Sequence, residues 1–269
     1  MTSEPIAARM HQVKMTRPSI ARVYDYLLGG KDNFAVDRAV AEKLMASDME
    51  PKRLALVQRD FLVRAVKAVA AQGVAQFLDL GSGLPTSPSV HEVARGVIPD
   101  ARVAYVDNDP VVDMHNQALL AVDGGVATAE ADVRDPEAVL DSEAVRGCLD
   151  FSQPVGILLV GIVHFLGDDD NVERMISRYR DAVPAGSYLV LSTGTTEEAD
   201  SHLISDTERA YKDYSSPFRL RSREEILRLF DGFDLIGPGL FSMQEWRPEQ
   251  ATDRVPLKAT SLGAVAVKP

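Results

Sequence analysis

The chain has 269 residues, 45% of them hydrophobic, and carries 29 basic against 40 acidic side chains, a net charge of −11. That is ample apolar material for a core, and the acidic surplus argues against a nonspecific grip on nucleic-acid phosphates or an anionic membrane. A single cysteine, Cys148, excludes an internal disulfide framework and a cysteine-rich zinc site; with no apolar run of transmembrane length and no signal-peptide core, the expected location is the cytoplasm.

In chain order, a helical segment comes first. Ile20, Val23, Tyr24, Leu27 and Leu28 recur at helical spacing, Gly29 and Gly30 stop that helix, and Lys31-Asp32-Asn33-Phe34 form a polar turn before a second one. Residues 53–70 make a third, with Leu54, Val57, Phe61, Ala65 and Val69 on one stripe and Gly73 as its stop. Strands and helices then alternate. Strands are expected at 76–80, 102–107, 126–131, 155–161, 187–192, 233–237 and 260–267, and helices near 89–96, 110–122, 136–146, 170–182 and 222–231. This is a doubly wound α/β pattern with a mostly parallel seven-stranded sheet. The last two strands lack a crossover helix between them and should pair antiparallel as a terminal hairpin. Residues 195–221 read as an insertion with a helix at 197–213. The division is an N-terminal helical segment, 1–72, serving as a lid, and a core, 73–269.

The most informative motif is Phe77-Leu78-Asp79-Leu80-Gly81-Ser82-Gly83-Leu84-Pro85. A buried-strand pattern runs into two glycines that permit a tight turn and close approach of a ligand, and Ser89 with Glu92 reads as the capping box of the next helix. The second strand ends in Asp107, 24 positions past Gly83 and near the spacing of a ribose-gripping carboxylate. Asp109-Pro110 opens the following helix, and the third strand delivers Asp132 before Asp135-Pro136 opens another. In an open parallel sheet these loops share the carboxyl edge, where ligands sit.

These residues resemble the class I S-adenosylmethionine-dependent methyltransferases, whose Asp-x-Gly-x-Gly loop is matched by Asp79-Leu80-Gly81-Ser82-Gly83. The order and spacing agree over residues 73 to 267. The segment Tyr24 to Phe34, GLPTSPSVHEVA, YVDNDPVV and the stretch around VHFLGD are similar to a narrower, actinobacterial set of methyltransferase-like proteins of unknown substrate, common in Streptomyces. The resemblance implies a Rossmann-like methyltransferase fold and S-adenosyl-L-methionine as cofactor. It further implies that Gly81, Ser82 and Gly83 pack against the methionine and ribose portion, with Asp79 holding the loop and reaching the amino group. Asp107 would accept from the ribose hydroxyls, Asn108 would follow it toward the adenine, Asp132 would accept from the adenine amino group, and the Val133 N–H would reach a ring nitrogen. Gly161 would offer backbone carbonyls to the ammonium. Asp79 reads equally as a structural carboxylate tying down the loop, and Asp132 as a turn cap.

Methyl transfer is an in-line displacement that needs alignment and exclusion of water, and a base only when the acceptor keeps its proton. His164, just past the fourth strand, is the base candidate, titrating near neutrality beside the methyl; its bland reading is packing on Phe165. Tyr24 and Tyr26, two apart on a short helix, point in different directions, one inward and one toward the site. Lys31 and Asn33 belong to a turn that would close over the ligand, and Tyr211, Tyr214 and Phe218 would wall an acceptor pocket. The other histidines show no metal-ligand spacing, so no metal is expected. A Gly-x-Ser-x-Gly elbow and an Asn-Pro-Pro-Tyr tetrad are both missing, which disfavours hydrolysis and nucleobase methylation. Thr86 after Pro85 disfavours a nicotinamide-binding helix approach. The expected function is methyl transfer to a small molecule; the alternative is a non-catalytic module that binds S-adenosylmethionine or S-adenosylhomocysteine.

Overall fold

Every residue of the strand Gln76–Leu80 (β1) is buried, Gln76 and Asp79 included, as befits a central parallel strand covered on both faces. The computed structural model describes residues 17–46, 50–120, 124–197, 217–247 and 261–269. After β1 come Arg102–Asp107 (β2), Val126–Glu130 (β3), Gly156–Val160 (β4), Tyr188–Gly194 (β5), Asp234–Leu235 (β6), Phe241–Ser242 (β7) and Ser261–Val267 (β8). The sheet order is β3-β2-β1-β4-β5-β8-β6, with β7 also on β8. Strands β1 to β5 pair in parallel, and β8 runs antiparallel to β5, β6 and β7. The expected antiparallel end is therefore present, but β8 inserts between β5 and β6. The order reverses between β1 and β4, which opens a crevice at the carboxyl ends of those strands.

The helices are Ile20–Leu27 (α1), Ala35–Met45 (α2), Pro51–Ala70 (α3), Val90–Arg95 (α4), Pro110–Leu119 (α5), Pro136–Asp141 (α6), Glu143–Cys148 (α7), Val172–Asp181 (α8) and Arg223–Arg228 (α9). Four of their starts carry side-chain caps. Ser89 and Glu92 close a reciprocal box at α4, Asp109 caps α5 ahead of Pro110, Asp135 caps α6 ahead of Pro136, and Ser222 with Glu225 boxes α9. The expected helix 136–146 is two helices, because Ser142 takes an extended conformation (φ −56°, ψ 129°) and restarts the chain. The helix expected at 197–213 lies outside the described residues but for its first residue.

Two apolar layers flank the sheet. One joins Leu78, Leu80, Val106, Leu159 and Leu191 to Met175 and Tyr179 of α8 and Ile226 of α9. The other joins Phe77, Val103, Leu158 and Val190 to Phe61, Ala65, Val66 and Val69 of α3, with Trp246 edge-on to Phe61. Successive strand residues thus face opposite layers. Helices α1 and α2 form a smaller cluster of Val23, Leu27, Val40, Ala41 and Leu44, which meets α3 at Ala55. Among the described residues no helix is long and apolar enough to cross a membrane.

Candidate functional site

The tips of β1, β2, β3, β4 and β5 open into one cavity of about 420 Å³, roofed by α1 and the start of α3 and bounded on the far side by residues 218–220. The glycine loop forms its floor. Gly81 has φ +71°, and a Cβ there would stand 2.3 Å from Ile162 Cδ1; Gly161 has φ +76°, and a Cβ there would stand 1.3 Å from Gln58 Nε2. Both positions need glycine for conformation, and any Cβ there would also have to push aside the end of the Ile162 or Gln58 side chain. The Gly81 and Ser82 N–H groups donate to the Val106 carbonyl, and Gly83 N–H donates to Asp107 Oδ2 at 2.9 Å. The loop is therefore tied to the end of β2.

Asp107 accepts a second backbone N–H, that of Asp109, on Oδ1 at 3.0 Å. Asp107 also lines the cavity, and a carboxylate can accept more than these bonds. Burial pushes its carboxyl up to about 6 against the opposing pull of those N–H groups. Asp79 is 6% exposed, and burial pushes it up to about 7, with Arg59 lowering it and Asp107 raising it further. Asp132 lies on the same rim. Its oxygens are gripped by Arg134, whose hydrogen bonds hold its pKa below the ordinary carboxylate value.

The structure brings Asp79, Gly81, Ser82, Gly83, Asp107, Asn108, Asp132, Val133, Gly161, His164 and Tyr24 to this one cavity. Tyr24 is the tyrosine of its pair that faces the cavity, its hydroxyl donating to the Ala55 carbonyl at 3.0 Å. Tyr26 turns the other way, with its hydroxyl 3.5 Å from Glu42 Oε1. Lys31 is exposed and off the cavity wall. Asn33 is buried for a different purpose: its amide donates to Asp25 Oδ2 at 2.8 Å and to the Gly30 carbonyl. Asp25 also accepts the Asp32 N–H, and a Cβ on Gly30 would strike its carboxylate. The Tyr24 to Phe34 segment is thus a turn stitched around a buried carboxylate. Tyr211 and Tyr214 lie outside the described residues.

His164 occupies a 3₁₀ turn, Val163–Phe165, and packs against Phe165 and Phe218 at ring separations of 4.3 and 5.5 Å. Its Nδ1 is buried with no hydrogen-bond partner among the described residues. Burial, and then the Arg221 charge, push its pKa down to about 3. This corrects the expectation of titration near neutrality: the imidazole is neutral at physiological pH and a weak base.

Sequence reading passed over several lining residues. Gln58 and Arg59 are the main ones; Arg59 donates to the Thr86 and Pro88 carbonyls, pinning the loop after the glycines, while its Nε is buried without a partner among the described residues. Both sit on the polar flank of an amphipathic helix, where their pattern is that of any solvated face. Thr195 and Leu220 also went unread. Among the described residues no cluster of His, Cys, Asp or Glu is arranged to hold a metal ion.

Comparison with known proteins gives a consistent answer. A family model described as S-adenosyl methyltransferase matches residues 7–269. The structure of a methyltransferase candidate from Thermobifida fusca YX is 40% identical, with a TM-score of 0.88 over 100% of this chain and 99% of its own. A DUF574 family protein from Streptomyces avermitilis MA-4680 is 38% identical with a TM-score of 0.88, over 95% of this chain and 99% of its own. Demethylspheroidene O-methyltransferase of Cereibacter sphaeroides is 28% identical over 225 residues, 81% of this chain; the chain spans 52% of that relative's length.

Proposed function

Starting from the fact that this chain belongs to the S-adenosyl methyltransferase family, we propose that the cavity at the sheet's carboxyl edge carries out methyl transfer to a small-molecule acceptor. The protein is an S-adenosylmethionine-dependent methyltransferase, and the comparisons favour this over a non-catalytic binding module. The observation that carries the site assignment is the convergence of Asp79, Asp107 and Asp132, from three consecutive strand tips, on one glycine-floored cavity.

The residues fit the cofactor. Asp107, preset by two backbone N–H groups, accepts the ribose hydroxyls on its remaining lone pairs. Asp132, held by Arg134, takes the adenine amino group, with Asn108 and the Val133 N–H alongside. Asp79 and the Gly161 carbonyl receive the ammonium, and Arg59, whose Nε lacks a partner among the described residues, pairs with the carboxylate. A Cβ at Gly81 or Gly161 would fill space already taken by Ile162 or Gln58. When bound, the cofactor supplies a methyl group activated on a sulfonium sulfur. The chain's own part is to orient the acceptor, exclude water under α1 and hold the charged ends still.

Calorimetric titration with S-adenosylmethionine and with NAD tests this on the parent and on Asp107→Ala. Binding of the former alone is expected, weakened at least about tenfold in the variant for loss of a charge-assisted contact. Tight NAD binding, or an unaffected variant, would refute the assignment.

A further inference from the structure

The cavity is divided by charge. All four acids that line it, Asp79, Asp107, Asp109 and Asp132, stand at the tips of β1, β2 and β3. The half beyond β4 and β5 has none among the described residues. Its walls are Ile162, Phe165, Leu166, Phe218 and Leu220, and its polar side chains are His164, Thr195 and Ser261, the last beside Gly194 at the tip of β5.

A cation stands behind this wall. Arg221 is 3% exposed and donates to the Val163 carbonyl at 2.7 Å and the Leu166 carbonyl at 2.9 Å, bracketing the turn that carries His164. Carbonyls spread its charge but do not cancel it. The nearby acids act on it only through space: Asp168 and Glu225 pair directly with Arg219, and Asp170 with Arg134. In a medium of low dielectric a charge held by carbonyls alone is still felt across the turn, and it lowers the His164 pKa. We infer that the acceptor is an aromatic or similarly flat apolar molecule bound through an anionic oxygen, a phenolate, enolate or carboxylate, which His164 meets as a neutral hydrogen-bond donor and Arg221 stabilises from behind.

His164 is suited to donating. Its Nδ1 is buried with no hydrogen-bond partner among the described residues, so a proton there would be stranded; the proton belongs on Nε2, the ring's other polar atom. An acceptor that arrives deprotonated needs no base. The step then balances without a proton: the oxygen lone pair forms the bond to the methyl carbon, the electron pair of the broken carbon–sulfur bond stays on sulfur, and the two opposite charges cancel. Arg221 acts as a positioning residue, since it touches the turn and not the acceptor.

The inference rests on the methyltransferase reading, and the experiment separates the two. With the protein saturated by S-adenosylhomocysteine, calorimetry measures 1-naphthoate, naphthalene-1-carboxamide and 1-naphthylmethylammonium, which differ in charge and little in shape. The anion should bind at least about tenfold tighter than either partner, the increment of one charge-assisted hydrogen bond. Arg221→Met should erase that ratio and Arg221→Lys restore most of it, a dependence that mere loss of packing would not produce. His164→Phe should lower naphthoate affinity by a similar factor with S-adenosylhomocysteine binding unchanged, which also reports that the variants fold. Equal, reversed or absent preference with S-adenosylhomocysteine bound overturns this inference alone; failure of S-adenosylhomocysteine to bind the parent overturns both.

Discussion

Two neighbouring carboxyls, Asp79 at about 7 and Asp107 at about 6, are held protonated to unusually high pH by burial. The native protein keeps these protons where the unfolded chain has already released them, so stability falls as pH rises from about 4, the ordinary aspartate value, to about 7. The site is therefore charged at the expense of the fold. Asp79→Asn keeps the shape and removes the buried charge; its melting temperature at pH 8 should exceed the parent's by about 5 °C, with little difference near pH 4.5. Function responds in the opposite sense. Asp79 and Asp107 bind a cationic nucleoside only when ionised, so affinity for S-adenosylmethionine in the parent should fall on acidification from pH 8 to pH 5. The asparagine variant should bind weakly throughout and lose the upper step. A parent whose affinity is level across that range would mean these carboxyls do not contact the ligand.

At the scale of elements, the first helices are fastened to the ribose end of the site by one buried cation. Arg22, 3% exposed, donates from Nε to Asp37 Oδ2 and from Nη1 to Asp109 Oδ2, both at 2.8 Å, and lies over the Phe34 ring. Asp37 also accepts the Ser19 and Phe34 N–H groups, while Asp109 caps α5 two residues past Asp107. Removing one member of such a set leaves buried charge unpaired, at a cost of about 3–5 kcal/mol. Arg22→Met should therefore release α1 and α2 while the sheet stays protected, read as hydrogen exchange that accelerates over residues 20–45 alone; uniform acceleration would show that the cap has no separate opening. What was legible follows from the range of the forces involved. The glycine loop, Asp107 and Asp132 obey strand periodicity and turn chemistry, which act over a few residues, and so did the antiparallel end. Gln58 and Arg59 become site residues, and Arg22 the tie beside the site, only through contacts between elements, and polar residues on an amphipathic helix carry no mark of them. For Lys31 and Asn33 the sequence offers no distinction, because a Gly-Gly turn with polar followers looks alike whether it closes over a ligand or around its own Asp25, the carboxylate that Asn33 bonds. The two-residue β7 was too short to leave a period.

Across the whole molecule, the boundary between cap and core decides what can be removed. Helix α3 was grouped with the N-terminal segment ending at residue 72, yet Phe61, Leu62, Val66 and Val69 are buried in the layer that covers Phe77, Leu158 and Val190. Burying four such side chains contributes about 6–12 kcal/mol, comparable with the entire stability of an ordinary domain. The cap's own cluster, by contrast, meets α3 through the single buried residue Ala55. We therefore place the detachable unit before α3. A chain lacking residues 1–46 should still unfold cooperatively by circular dichroism, with a lowered midpoint, because both apolar layers of the sheet stay covered. It should bind S-adenosylmethionine poorly, since Val23, Tyr24 and Leu27 wall the same cavity. A chain lacking residues 1–72 should show no cooperative transition, the sheet having lost the helix that closes one face. If that shorter chain instead melts cooperatively, α3 is an appendage after all, and the fold and the lid divide at residue 72.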